Sequence, residues 1–277
     1  PTHPRIGETL NNLALLYWYW GKYEQAEPLY QQALSIQEHH LGSDHREVSN
    51  TLDNLALLYQ ELGQYEQAEP LHRRALAIKE QQFGSDHLGT ATTLNNLAFL
   101  FLHLGNCEQA EQYALRALHI YEQLLSPEDP RFAIPLNNLA DAYQRQTRYE
   151  QAEATAQRAL HLQEQRLNSD HPEIAITLNR LATIYRCQGN YTQAEPLYRR
   201  ALRIREQFGG PNHPKLALIL RELATLYSEQ GRRQQAEPLY RRALAICKQR
   251  LGPGHPLTAT ILHSLATLYN EDDPAGQ

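Results

Sequence analysis

Seven leucines, Leu13, Leu55, Leu97, Leu139, Leu181, Leu223 and Leu265, stand 42 residues apart, and so do Tyr17, Tyr59, Phe101, Tyr143, Tyr185, Tyr227 and Tyr269. Ala26, Ala68, Ala110, Ala152, Ala194 and Ala236 keep the same interval. A fixed period of this size restricts the chain to a stack of similar units, each buried against its neighbours. Within a unit, apolar residues fall twice at helical spacing: Leu52, Leu55, Ala56 and Tyr59, then Ala68, Leu71, Ala75 and Ile78. The unit is therefore expected to be two amphipathic helices joined by a tight turn.

Gly63 and its equivalents Gly21, Gly105, Gly189 and Gly231 mark that turn, where a left-handed cap favours a residue without Cβ. Alanines 56 and 68 recur because the two helices of a hairpin must approach closely, and the recurring tyrosine is expected to fill the space between hairpins.

The run Asn-Asn-Leu-Ala-Leu-Leu-Tyr, followed by Gly-x-Tyr-x-x-Ala-Glu-Pro-Leu-Tyr, Ala-Leu-x-Ile and Leu-Gly-x-x-His-Pro, resembles tetratricopeptide repeats. The 42-residue form is similar to that of kinesin light chains and their bacterial relatives. The resemblance implies an all-α, right-handed solenoid: six hairpins at about 4–45, 46–87, 88–129, 130–171, 172–213 and 214–255, then a capping helix at 256–270. It also implies a non-catalytic scaffold for protein interaction. One solenoid serves many binding tasks, so the fold is the firmer implication.

At 277 residues the length alone suggests two globular domains, but a repeat array has no single core to outgrow, and one continuous solenoid is expected. The net charge of −5 argues against a general nucleic-acid binder. No apolar run approaches the roughly 18 residues of a membrane span, and no signal peptide is recognised. Three cysteines, Cys107, Cys187 and Cys247, occupy three different repeat positions without a Cys-x-x-Cys pair, which suits a reducing interior and so the cytoplasm.

Connectors such as Leu41-Gly42-Ser43-Asp44-His45 offer Asp44 or His45 as helix cap, with Glu47 completing a capping box if Asp44 serves; Asp170 and Glu173 repeat the arrangement. Pro172, Pro214 and Pro256 suit a first helical turn. Pro28, Pro70, Pro196 and Pro238 fall inside the second helices, so a bend or a later helix start is expected there. The fourth unit departs most, with Ser126-Pro127-Glu128-Asp129-Pro130 as connector, Pro135 in its first helix and Thr147 in place of glycine. Either strain or a local change in curvature is expected, which makes this unit the candidate for a flexible joint; a slightly irregular repeat is the other reading, and the favoured one. Glu271-Asp272-Asp273-Pro274 is expected to end the last helix.

No Gly-rich phosphate loop, His-Glu-x-x-His or Gly-x-Ser-x-Gly occurs, so no catalytic residue, cofactor or metal is expected. Of thirteen histidines, His3, His45, His87, His171, His213 and His255 share one repeat position and belong to successive layers rather than one coordination shell.

The resemblance assigns the first helices to the concave wall, on which the copies place a ladder of amides: Asn11, Asn12, Asn54, Asn95, Asn96, Asn137, Asn138 and Asn179. An Asn side chain both donates and accepts, so such a row can satisfy the main chain of an extended peptide. Ligand contact is expected of the first Asn of each pair; for the second, ligand contact and bonds between adjacent helices are equal alternatives. Leu15, Trp18, Tyr19, Leu57, Phe99 and Leu102 make the earlier half of this wall apolar, and Arg145, Arg180, Arg186 and Arg221 add positive charge later. A protein or peptide ligand with an apolar anchor and acidic residues matches both. Asp53, Glu61, Asp141, Glu222 and Glu229 share the wall and offset that charge.

On the second helices, Arg73-Arg74, Arg199-Arg200 and Arg241-Arg242 follow Glu69, Glu195 and Glu237 at i,i+4, which reads as a solvated, ion-paired surface. The chain is expected to be a monomer or to self-associate weakly. A structural or self-assembling array, or a regulatory region of a larger protein, is the other reading.

Overall fold

The computed structural model describes residues 4–270, so His3 and the 271–274 stretch lie outside the described residues. Those residues are all-α, thirteen helices without a strand, and form two compact units, 1–162 and 163–277. The first unit holds α1 (Pro4–Tyr19), α2 (Tyr23–Leu41), α3 (Arg46–Glu61), α4 (Tyr65–Phe83), α5 (Leu88–His103), α6 (Cys107–Leu124), α7 (Ala133–Arg145) and most of α8 (Tyr149–Arg166). The second holds the end of α8 with α9 (Pro172–Cys187), α10 (Tyr191–Gly209), α11 (Lys215–Glu229), α12 (Arg233–Arg250) and α13 (Pro256–Asn270).

Each hairpin closes on small residues. Ala56, Ala68 and Ala75 have no exposed surface, nor have Ala98, Ala110 and Ala117. The tyrosine of the first helix reaches back to the preceding second helix: Tyr59 donates to Glu27 at 3.1 Å, Tyr227 to Glu195 at 2.9 Å and Tyr269 to Glu237 at 2.5 Å. Large side chains thus fill the space between hairpins while small ones set the spacing within them.

The second helices are tied to one another by ion pairs. Arg74 meets Glu38 and Arg116 meets Glu80, each at 2.6 Å, in the first unit; Arg200 meets Glu164 and Arg242 meets Glu206, again at 2.6 Å, in the second. The neighbouring Arg73, Arg199 and Arg241 make the expected i,i+4 pairs with Glu69, Glu195 and Glu237. These pairs are largely solvated, so each stabilises little, ~0–1 kcal/mol, and their regular spacing serves register more than stability.

The connector histidines within the described residues accept a main-chain bond at the start of the helix that follows, and His45, His87 and His171 are its cap residues. The main-chain N–H two residues on donates to Nδ1 of His45, His87, His171, His213 and His255 at 3.0 to 3.3 Å. Asp44 and Asp170 therefore do not cap, and the capping boxes with Glu47 and Glu173 do not form: the cap position falls one residue later. Asp129 takes the histidine's place in the fourth unit, accepting from Arg131 N at 2.9 Å.

Pro28, Pro70, Pro196 and Pro238 lie inside helices that begin at Tyr23, Tyr65, Tyr191 and Arg233, which removes the later helix start. Pro135 is harmless, because a 3-10 turn at Pro130–Phe132 delays α7 and leaves the proline in its first turn. Thr147 holds φ at +61°, while Gly63 and Gly105 adopt +75° and +78° at the equivalent turn. A β-branched residue is strained there. Thr147→Gly is expected to raise stability by about 1 kcal/mol, read as a higher chemical-denaturation midpoint with an unchanged slope.

Candidate functional site

In the first unit α1 touches α3, α3 touches α5 and α5 touches α7; in the second α9 touches α11 and α11 touches α13. Second helices pack between them, α2 on α3 and α4 on α5. First helices thus form one continuous wall in each unit, and steps of three and four residues stay on one face of a helix. That face carries Asn12, Leu15 and Tyr19 on α1, Asn54, Leu57 and Glu61 on α3, and Asn96, Phe99 and His103 on α5. All nine are partly or fully exposed. Three parallel rows result: amides, apolar side chains, and a mixed rim.

The rim is ordered by ring contacts. His103 stacks on Tyr65 with centroids 5.1 Å apart, shares a 3.1 Å hydrogen bond with the Tyr65 hydroxyl, and meets Phe99 edge-on at 4.6 Å. On α7 the same face holds Asn138 and Asp141, both buried, and exposed Arg145, so the apolar row ends at Phe99. Trp18 sits beside the rows, partly buried and edge-on to Tyr19 at 5.0 Å, and Leu102 is fully buried rather than on the wall.

The Asn pairs are not placed alike. Asn95 is 3% exposed while Asn96, like Asn12 and Asn54, lies on the open face, whereas Asn137 and Asn138 are both buried, at 7% each. Asn11 and Asn179 are intermediate. Several amides also hold neighbouring helices in register: Asn54 donates to Asn11 Oδ1 at 2.9 Å and Asn138 to the Asn95 carbonyl at 3.0 Å. Asn95 donates to the Tyr121 hydroxyl at 3.4 Å.

The arginines are matched by carboxylates of the same wall. Arg145 Nε lies 2.8 Å from Asp141, and its Nη1 donates to the Leu102 carbonyl at 2.9 Å. In the second unit Arg186 pairs with Glu229 and lies 3.4 Å from Glu222, and Arg221 pairs with Glu222; Arg180, from the same helix as Arg186, is partly buried. Burial alone would lower the Arg186 pKa, but Glu222, Tyr198 and Glu229 outweigh it and raise it.

Asp53 is not on the wall. It is fully buried, with His72 Nδ1 2.7 Å from Oδ1, while Lys79 Nζ and the Thr93 hydroxyl donate to Oδ2 at 2.6 and 2.5 Å. Burial pushes its pKa up, yet His72 and Lys79 hold it below the usual carboxylate range. The signal was in the sequence: the equivalents of Asp53, His72 and Lys79 in the first repeat are Asn11, Tyr30 and Gln37.

No group of three or more His, Cys, Asp or Glu that could hold a metal ion occurs among the described residues, and none of their helices is long and apolar enough to cross a membrane. All three cysteines are free thiols.

The tetratricopeptide repeat, as a sequence family, matches residues 7–47, 47–123, 131–207, 173–249 and 216–274. No curated protein matches the chain. Among solved structures, a chain described as a kinesin light chain with nearly identical TPR-like repeats, from Podosopora anserina, is 25% identical over 74% of this chain and 97% of its own, with a TM-score of 0.53. BtubC (BKLC) from P. vanneervenii is 24% identical over 82% of this chain and 89% of its own, with a TM-score of 0.58. A Rap protein complexed with competence and sporulation factor shares the fold at 15% identity, with 96% and 88% covered and a TM-score of 0.63.

Proposed function

The chain belongs to the tetratricopeptide repeat family, whose members generally mediate protein–protein interactions and are typically non-catalytic, and from that premise we propose that its first-helix wall is a peptide-binding groove. The protein is a scaffold, and an extended segment of a partner lies across α1, α3 and α5. The observation that carries this reading is the pair of parallel rows, Asn12, Asn54 and Asn96 beside Leu15, Leu57 and Phe99. The amides satisfy the partner's main chain and the apolar row takes its anchors. Packed helices lie ~8–10 Å apart, and a polyproline-II segment advances about 9 Å in three residues, so apolar side chains three apart in the partner meet successive repeats. The likeness to kinesin-light-chain repeats supports adaptor or cargo segments as the ligand class. Three free thiols fit a reducing compartment such as the cytoplasm.

Acidic residues in the partner have a narrower opening. Arg145, Arg186 and Arg221 already face Asp141, Glu222 and Glu229, so a partner carboxylate binds there by exchanging with a resident one, at a modest net gain. In the second unit, Asn179 and Arg180, adjacent on α9, offer a partner an amide and a positive charge of their own. Asn11, Asn95, Asn137, Asn138 and Trp18 act behind the open rows, holding the helices that present them. A structural array, in which the amides serve register alone, is favoured by the Asn54 and Asn138 bonds.

Peptide display against the whole chain separates the two readings. Selected peptides should carry apolar residues three apart and bind Leu57→Asp or Phe99→Ala proteins roughly 30-fold more weakly, with far-UV circular dichroism unchanged. Equal binding to the parent and to both variants would overturn the groove.

A further inference from the structure

Glu61, at the end of α3, and Glu229, at the end of α11, occupy the same repeat position in the two units. In the second unit Arg186 of the preceding first helix pairs with Glu229. In the first unit the place of Arg186 belongs to Trp18, which carries no charge. After Arg46, neither α3 nor α5 contains a lysine or arginine, so none from these two helices balances Glu61. Aromatic side chains adjoin the carboxylate instead. The Tyr23 hydroxyl of α2 hydrogen-bonds to Glu61, and burial, then Glu61, raise its pKa. Tyr65 of α4 lies within reach of both Glu61 and His103: burial and then Glu61 raise its pKa, and its ring stacks on His103 at 5.1 Å. Phe99 meets His103 edge-on at 4.6 Å. Arg145 of α7 acts on Tyr65 in the opposite sense, less than Glu61 does, and its charge is met by Asp141. A partly exposed carboxylate bordered by ordered rings suits a guanidinium, which is planar, always charged, bonds a carboxylate through two N–H groups and stacks on aromatic faces.

We infer that Glu61 binds an arginine side chain of the partner segment held in the first-unit groove. The inference rests on the groove reading and adds to it the charge of the ligand, which is basic at this place rather than acidic. The array holds its own template in Arg186 on Glu229: where the second unit supplies the arginine itself, the first leaves it to the partner. The bond from Tyr23 does not exhaust the carboxylate, which has about four acceptor sites. Glu61 stands one helical turn beyond Leu57, about 5–6 Å along the same face. The arginine therefore falls within two residues of the apolar side chain that Leu57 and Phe99 receive. Because the rings are already fixed by stacking and by the Tyr65–His103 bond, little ordering is left for the ligand to bring about.

Peptides selected by display on the whole chain should carry arginine within two residues of an apolar anchor. Resynthesised with glutamate in its place, they should bind the parent chain roughly tenfold or more weakly. Glu61→Gln should weaken the arginine peptides by a similar factor and flatten the salt dependence of their affinity. Glu61→Arg should reject them and take the glutamate versions instead, with far-UV circular dichroism unchanged. The exchange on the peptide needs no protein variant, so it decides the matter even where Glu61→Arg loses helicity. Leu57→Asp separates this inference from the groove itself. Where Leu57→Asp weakens the selected peptides but they carry no arginine near the anchor, carry a carboxylate there, or bind Glu61→Gln as tightly as the parent, the groove stands and the arginine assignment is overturned. Where Leu57→Asp binds them undiminished, or the library yields no binder, the groove falls and the assignment with it.

Discussion

Asp53→Ala is expected to cost about 3–5 kcal/mol and to strip amide protection first from α3, α4 and α5. The carboxylate is the hub of three buried groups: His72, Lys79 and Thr93 all meet it within 2.7 Å, and His72 and Lys79 are 0% and 4% exposed. Removing the hub leaves an ammonium in the interior without its counter-charge, and that uncompensated charge dominates the cost. Hydrogen exchange by helix is the proper measurement, because a repeat array need not melt as a single step. The same group sets an acid limit. Burial raises the Asp53 pKa and its partners more than reverse this, leaving it below the ordinary value. Its contribution is therefore fully present above the unfolded value of ~3.9 and disappears as pH falls through the lower, folded one. The triple change Asp53→Asn, His72→Tyr, Lys79→Gln, which copies Asn11, Tyr30 and Gln37 of the first repeat, should recover most of the loss at neutral pH and remove the acid sensitivity. Recovery by the triple variant together with failure of the single one assigns the cost to charge rather than to volume.

Tyr198→Ala is expected to destabilise the second unit by about 3–5 kcal/mol, whereas Tyr198→Phe should cost about 1 kcal/mol. Tyr198 has no exposed surface, and its hydroxyl donates to Thr183 Oγ1 at 2.9 Å. Truncation empties the space between α9 and α10, while phenylalanine keeps the volume and gives up one hydrogen bond. Urea denaturation followed by amide exchange in α9–α11 distinguishes the two. Burial, and then Glu222, raise the Tyr198 pKa, and burial raises that of Tyr30. For a group raised on folding, stability is intact below the unfolded value and is lost as pH climbs past it, so alkaline unfolding should begin above about pH 10. Tyr198→Phe should move that limit upward.

The hairpins, their glycine turns and the last helix from Pro256 to Asn270 were legible because they depend on residues within one period, where spacing and local conformation carry the information. The odd turn at Thr147 was visible for the same reason. The placement of side chains on the wall was less so. Neighbours such as Asn95 and Asn96 differ by only about 100° around a helix, both border the apolar stripe, and no local rule says which turns inward. The structure buries Asn95 and opens Asn96. Asp53 misled for a related reason: its partners stand 19, 26 and 40 residues away, and a scan of one helix sees none of them. The offset of the arginine charge was legible in outline, but not the pairing of Arg186, whose counter-charges Glu222 and Glu229 lie on α11, one repeat further on.

The Asp53 cluster has a bearing on how such a protein can be rebuilt. Most hairpins meet their neighbours through the same alanines, tyrosines and Arg–Glu pairs, and any of them can follow any other. Lys79 instead needs the hydroxyl that Thr93 supplies from the next hairpin; at that place Thr9, Thr51 and Thr177 could serve, but Pro135, Ile219 and Ile261 could not. Shuffling by recombination is therefore restricted at one join: the second hairpin tolerates as its successor only a unit that opens with threonine at that place, giving an otherwise permutable series a constraint on its order.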